Sequence, residues 1–126
     1  LYGPNAYRRY ERRALEEAVQ IYPEMVLATP GGLVSEPATL NLLLAHCYTV
    51  WLRATPEEHM GRVMAQGDFR PMSGNNEAMA DLKRILAGRE AFYAKADLTW
   101  VTSHLEVQES FAGLRAQVRK ACGLPL

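Results

Sequence analysis

Apolar residues at Tyr7, Tyr10, Ala14, Ala18 and Ile21 recur at spacings of three and four through the Arg-, Glu- and Ala-rich stretch from Asn5 to Gln20. That period predicts a helix with one apolar stripe, and Pro4 stands where a first helical turn tolerates proline. Pro23 stops the helix, and Met25-Val26-Leu27-Ala28-Thr29 is then apolar on both faces, the pattern of a buried parallel strand. Pro30-Gly31-Gly32 breaks that strand, and a helix is expected from about Pro37 to Ala45. Tyr48 to Leu52, β-branched or aromatic at Thr49, Val50 and Trp51, predicts a second strand.

Thr55-Pro56-Glu57-Glu58 combines a capping box with proline at the first helical position, which starts a helix reaching about Met64. Periodicity vanishes from Ala65 to Asn76, where Gly67, Pro71, Ser73, Gly74 and two asparagines predict a long loop of the lid kind. Glu77 to Lys95 is expected to be helical, Leu98 to Val101 to be a third strand, and Ser103, with Glu106 three residues on, to cap a last helix ending near Ala121. Helices alternating with short apolar strands imply an α/β layer fold around a parallel sheet, whose ligands bind at the carboxyl ends of the strands. Those ends are Pro30-Gly31-Gly32, Arg53-Ala54-Thr55 and Thr102-Ser103-His104.

Composition narrows the function. The 126 residues are 48% apolar and carry 14 basic against 14 acidic side chains, so a single folded domain is expected, without the basic excess that nucleic-acid binding needs. No apolar run can span a bilayer, and two isolated cysteines, Cys47 and Cys122, suit a reducing cytoplasm. Leu1-Tyr2-Gly3-Pro4 reads as the interior of a longer polypeptide. His46, His59 and His104 lack neighbours at ligand spacing, so no metal site is expected. No Gly-x-x-x-x-Gly-Lys-[Ser/Thr] occurs, so these residues alone do not cradle a triphosphate in the usual way. The candidate chemistry is arginine. Arg8, Arg62, Arg70 and Arg89 stand out by context, because a planar fork suits carboxylates and phosphates and the glycine turn lets a ligand approach backbone closely. The plainer reading is that most of the arginines are solvated helix faces paired with glutamates.

Tyr7-Arg8-x-x-Glu11, the run from Val26 into Pro30-Gly31-Gly32, Val50-Trp51-Leu52-x-Ala54-x-Pro56-Glu57, Arg62, Arg70-Pro71, Arg89-x-x-x-Tyr93 and Ala96-Asp97 follow one another in an order that resembles the shikimate kinase family over nearly the whole chain. The resemblance implies a three-layer kinase fold with sheet order 2-3-1-4-5, in which Met25 to Thr29, Tyr48 to Leu52 and Leu98 to Val101 are strands three, four and five. The phosphate loop and central strand would belong to an absent N-terminal third. It implies that Arg8 and Arg89 bind the substrate carboxylate, that Gly31 and Gly32 offer backbone to substrate and γ-phosphate, that Arg62 lies near the nucleotide base and that Arg70 is the lid arginine. ATP and Mg2+ would be the cofactors of the whole kinase, none being held by this stretch alone. Three departures stand out: Pro30 replaces a glycine and has no N–H, the Arg62 to Arg70 stretch is one residue longer than expected, and Gly3-Pro4 replaces Gly-Glu.

The wording of Leu1 to Glu11, Ala28 to Val34, Gln66-Gly67-Asp68-x-Arg70-Pro71-Met72 and Leu86 to Asp97 is similar to the kinase-like domain of helix-turn-helix regulators of benzoate degradation. That second resemblance implies a non-catalytic domain sensing benzoyl-CoA, with DNA bound through a separate N-terminal domain, and shikimate kinase itself stands as the alternative. Without its central strand, strand three would leave backbone groups unpaired at ~1–3 kcal/mol each. The chain is therefore expected to close the gap by direct pairing, by forming a homodimer or by strand exchange.

Overall fold

The computed structural model describes residues 3–65 and 75–125. The order is α1 (Gly3–Ile21), a 3-10 turn (Gly31–Ser35), α2 (Pro37–His46), β1 (Val50–Arg53), α3 (Pro56–Ala65), α4 (Asn75–Tyr93), β2 (Leu98–Val101) and α5 (Val107–Ala121). The chain divides into two compact units, Leu1–Thr49 and Val50–Leu126. No helix among the described residues is long and apolar enough to cross a membrane.

In the first unit α1 buries Ala6 and Leu15 rather than the expected stripe, of which Tyr7, Tyr10, Ala14 and Ile21 are exposed, while the 3-10 turn and α2 bury Leu33, Val34, Thr39 and Leu40. Pro37 opens α2 at its first turn, and α2 packs against both α1 and the turn. The expected strand Met25 to Thr29 is not a strand: it has no regular structure, and Val26 is fully exposed. An apolar run becomes a strand only where a neighbour takes up its backbone N–H and C=O groups, and among the described residues the sheet has two strands, neither of them here. Direct pairing of strand three, one of the three expected ways to close the gap, does not occur.

The second unit holds a parallel α/β layer. β1 and β2 pair in parallel, Val50 with Leu98 and Arg53 with Val101 at the ends of the register, and the Thr102 N–H donates to the Arg53 carbonyl at 2.8 Å just beyond the last pair. The crossover between them runs through α3 and α4, which pack on each other. Side chains alternate faces along a strand. Trp51 and Arg53 meet Tyr93 and Glu90 of α4, the Trp51 and Tyr93 rings stacking at 5.5 Å, whereas Trp100, in register with Leu52, meets Ser110 and Gly113 of α5. α4 and α5 therefore cover opposite faces, giving three layers.

Several boundaries move. β1 begins at Val50 and ends at Arg53, two residues later and one further than the pattern implied, and α4 begins and ends two residues earlier. Ser103 does not cap the last helix: α5 starts at Val107 with Glu106 at its N-cap. The Ser103 hydroxyl bonds Glu58 instead, and His104 takes a left-handed φ of 63° in the turn between. The lid loop, expected at about 65–76, lies, apart from its ends, outside the described residues, and Arg70 lies there with it.

Candidate functional site

In the first unit, residues three and four apart on α1 stand on one face, so Tyr7, Glu11, Ala14 and Ala18 line one wall of a groove of about 480 Å³. Leu27, Ala28, Thr29 and Pro30 form the facing wall. Pro30 is extended (φ −61°, ψ 146°) and turns the chain into the 3-10 segment that begins with Gly31 and the buried Gly32. The groove is mostly apolar, and Glu11 is the acidic side chain in its lining. That side chain is only 10% exposed; its Oε1 accepts from Arg8 Nη1 at 2.8 Å, while Oε2 is buried with no hydrogen-bond partner among the described residues. Arg8 itself is 26% exposed and lies 5.3 Å from the centroid of the Tyr7 ring. An arginine held by one carboxylate oxygen of a groove-lining glutamate keeps N–H donors for an incoming anion, since guanidinium carries five.

In the second unit the carboxyl ends of β1 and β2 open onto a hollow of about 320 Å³ lined by Arg53, Thr55, Pro56, Val101 and Ser103. Thr55 caps α3: the Glu58 N–H donates to Thr55 Oγ1 at 3.1 Å, and the Thr55 hydroxyl donates to Glu58 Oε1 at 3.0 Å. Hydrogen bonds from Ser103 and Thr55, with His104 and Arg62 nearby, hold the Glu58 carboxyl below its usual range, partial burial opposing them. Glu57 is lowered too, first by a backbone N–H and then by Lys83, whose Nζ lies 3.1 Å away. Arg62, in the last turn of α3, donates to Thr102 Oγ1 at 2.9 Å and to the Thr102 carbonyl at 3.4 Å, and its Nη2 lies 3.6 Å from Glu58 Oε2. The Thr102 hydroxyl in turn donates to the Arg53 carbonyl at 3.1 Å. Arg62 is thus tied to the loop that follows β2. Arg89 on α4 is half-buried and makes no ion pair among the described residues.

The candidate residues fall into both units: Arg8, Gly31 and Gly32 in the first, Arg62 and Arg89 in the second. Arg62 and Arg89 share no hydrogen-bond or ion-pair partner there. The plainer reading holds for Arg12, Arg13 and Arg84, which pair with Glu16, Glu17 and Asp81 along their own helices. Three features of the sites were not foreseen: the orphaned Glu11 Oε2, the Ser103–Glu58 link, and Arg53, whose Nη2 meets Glu90 Oε1 at 2.9 Å. Only the first left a trace in sequence, in the i,i+3 spacing of Arg8 and Glu11. No group of three or more His, Cys, Asp or Glu side chains that could hold a metal ion occurs among the described residues.

The model of the shikimate kinase family matches residues 1–119. Among curated relatives, a shikimate kinase of Synechococcus sp. (strain JA-3-3Ab) is 35% identical over 108 residues, covering 86% of this chain and 56% of that protein. One from Paramagnetospirillum magneticum (strain ATCC 700264 / AMB-1) is 33% identical over 109 residues, 86% of this chain and 54% of the relative. One from Parasynechococcus marenigrum (strain WH8102) is 34% identical over 99 residues, 79% and 51%. The chain spans about half the length of the curated relatives it matches. No solved structure matches it. These relatives overturn the expected regulator domain: they carry the name shikimate kinase over most of the chain, and nothing in the matches points to a regulator, to benzoyl-CoA or to a DNA-binding partner. The phrases that suggested a regulator are short, whereas the family match runs over residues 1–119.

Proposed function

The chain belongs to the shikimate kinase family, and from that premise we propose that the complete protein is a cytoplasmic shikimate kinase that transfers the γ-phosphate of ATP to the 3-hydroxyl of shikimate. The observation that carries this reading is the family match over residues 1–119. The arginines support it. Arg8, oriented by Glu11 and flanked by Tyr7, is a partner for the substrate carboxylate, and so is Arg89, whose donors no acidic side chain takes up among the described residues. Gly31 and Gly32 start the 3-10 turn, where the lack of a Cβ lets the substrate and γ-phosphate approach the backbone. Arg62, fixed on Thr102 at the strand ends, offers a planar face for the nucleotide base, and Arg70, outside the described residues, is assigned by the resemblance as the lid arginine. In the complete protein a bound Mg2+ would supply charge neutralisation at the phosphates; no group of three or more His, Cys, Asp or Glu side chains that could hold it occurs among the described residues.

The test is turnover by the complete protein. With ATP and Mg2+, shikimate should give ADP and a shikimate monophosphate, and Arg8→Ala should raise KM for shikimate by about ten- to a hundred-fold, the effect of losing a hydrogen bond to a charged group. A folded complete protein that binds neither ATP nor shikimate would refute the reading.

A further inference from the structure

α4 has a weak point directly beside a candidate substrate residue. Gly88 lies inside this 19-residue helix, and nothing comes within 4 Å of the Cβ it lacks. No packing demand explains a glycine there, and glycine in a helix interior leaves the backbone looser than alanine would. Arg89 follows immediately. Just beyond it, two contacts fix α4 on the sheet: the Arg53 Nη2–Glu90 Oε1 ion pair at 2.9 Å and the stack of Tyr93 on Trp51. The two contacts are one assembly, because the Arg53 guanidinium also lies 5.0 Å from the centroid of the Trp51 ring. Glu90 and Tyr93 are three residues apart and share the face of α4 that meets β1, whereas Arg89, one residue before Glu90, is turned about 100° from it.

We propose that Arg53 is a positioning residue for Arg89. By gripping Glu90 while lying on Trp51, it clamps the helix just past Gly88 and fixes the direction in which the Arg89 guanidinium leaves α4. Without the clamp, Gly88 lets the last turns of α4 rotate and Arg89 samples directions that miss an anion. The role of Arg53 rests on the reading above in which Arg89 meets the substrate carboxylate, whereas the clamp itself does not.

The experiment compares Arg53→Met, Glu90→Gln and their double variant in the complete protein, by amide hydrogen exchange and by shikimate kinetics. Exchange at Gly88 to Glu90 should quicken by about two- to five-fold in each single variant and no further in the double, the range for one half-exposed ion pair. KM for shikimate should rise with it while kcat holds. Adding Gly88→Ala, which stiffens the same helical turn without touching a neighbour, should restore both. Unchanged exchange in the single variants, or failure of Gly88→Ala to restore KM, overturns the proposal. Faster exchange in a protein whose Arg89→Ala variant keeps its KM would leave the clamp standing and refute the role of Arg53 together with the carboxylate reading of Arg89.

Discussion

Gly113 is where the packing of α5 on the sheet can be tested most sharply. A Cβ there would lie 2.6 Å from Trp100 Cη2 and 2.8 Å from Cζ2, whereas ordinary contact begins at 3.4 Å, so the ring must retreat by at least 0.8 Å from the first atom (2.6 to 3.4 Å). The indole is rigid and is held at both ends: its backbone lies in the β1–β2 ladder, and its Nε1–H donates to Ser110 Oγ at 2.9 Å. Two effects compete in Gly113→Ala. Alanine favours the helix by ~1 kcal/mol, but overpacking costs about 1–3 kcal/mol and a strained or lost hydrogen bond about another 1 kcal/mol. The clash wins, and the net expectation is a loss of about 1–3 kcal/mol. Both tryptophans, Trp51 and Trp100, lie in Val50–Leu126, so urea unfolding followed by tryptophan fluorescence reads this unit. Gly61→Ala, with nothing within 4 Å, should gain up to about 1 kcal/mol in the same assay. In a Ser110→Ala background the indole is free to tilt, and Gly113→Ala should cost less. A Gly113→Ala protein as stable as its parent would show that α5 does not sit on Trp100 as described.

The α3 cap should respond to both mutation and pH. Thr55→Ala removes the acceptor of the Glu58 N–H and should cost about 1 kcal/mol by the same fluorescence assay; no change would place the cap elsewhere. The Glu58 carboxyl titrates lower in the folded chain than the usual 4.5, so its contribution is fully present above that value and is lost as pH falls through the lowered one. A Glu58→Gln variant should therefore show a shallower fall of stability on acidification than the parent, and identical acid profiles would remove Glu58 from the account. In the first unit, Arg8→Met leaves the nearly buried Glu11 carboxylate without its partner and should cost about 1–3 kcal/mol in helical melting, while adding Glu11→Leu should recover most of it. A double variant less stable than Arg8→Met alone would contradict this.

The fold was legible wherever local chemistry decides it. Pro37 and Thr55-Pro56 mark the starts of α2 and α3, and Leu98–Val101 falls where its apolar run lies. Met25 to Thr29 reads as a strand by the same rule and is none, because a strand is a pairing and not a composition. The two Ser/Thr-x-x-Glu patterns make the limit plain. Thr55 to Glu58 closes as a cap, aided by Pro56 at the first helical position. Ser103 to Glu106 has the same letters, but the Ser103 hydroxyl is drawn to Glu58, 45 positions before it, and the helix starts four residues later, at Val107.

Sequence distance also separates the legible part of the site from the rest. Arg8 and Glu11 are one helical turn apart, so their pairing follows from spacing. Arg53–Glu90 and Arg62–Thr102 span 37 and 40 residues, and both exist only because the parallel crossover through α3 and α4 brings the end of β1 beside α4 and the end of β2 beside α3. Context marks Arg62 as a candidate anion partner, the family resemblance puts it near the nucleotide base, and Arg53 reads as one arginine among many. The topology inverts that ranking in part: it occupies Arg62 with Thr102 and Glu58, and it places Arg53 on Trp51 against Glu90, beside the one arginine of α4 that has no acidic partner among the described residues. The reach of an arginine is set by which helix the crossover lays beside it, and that depends on the whole length from β1 to β2.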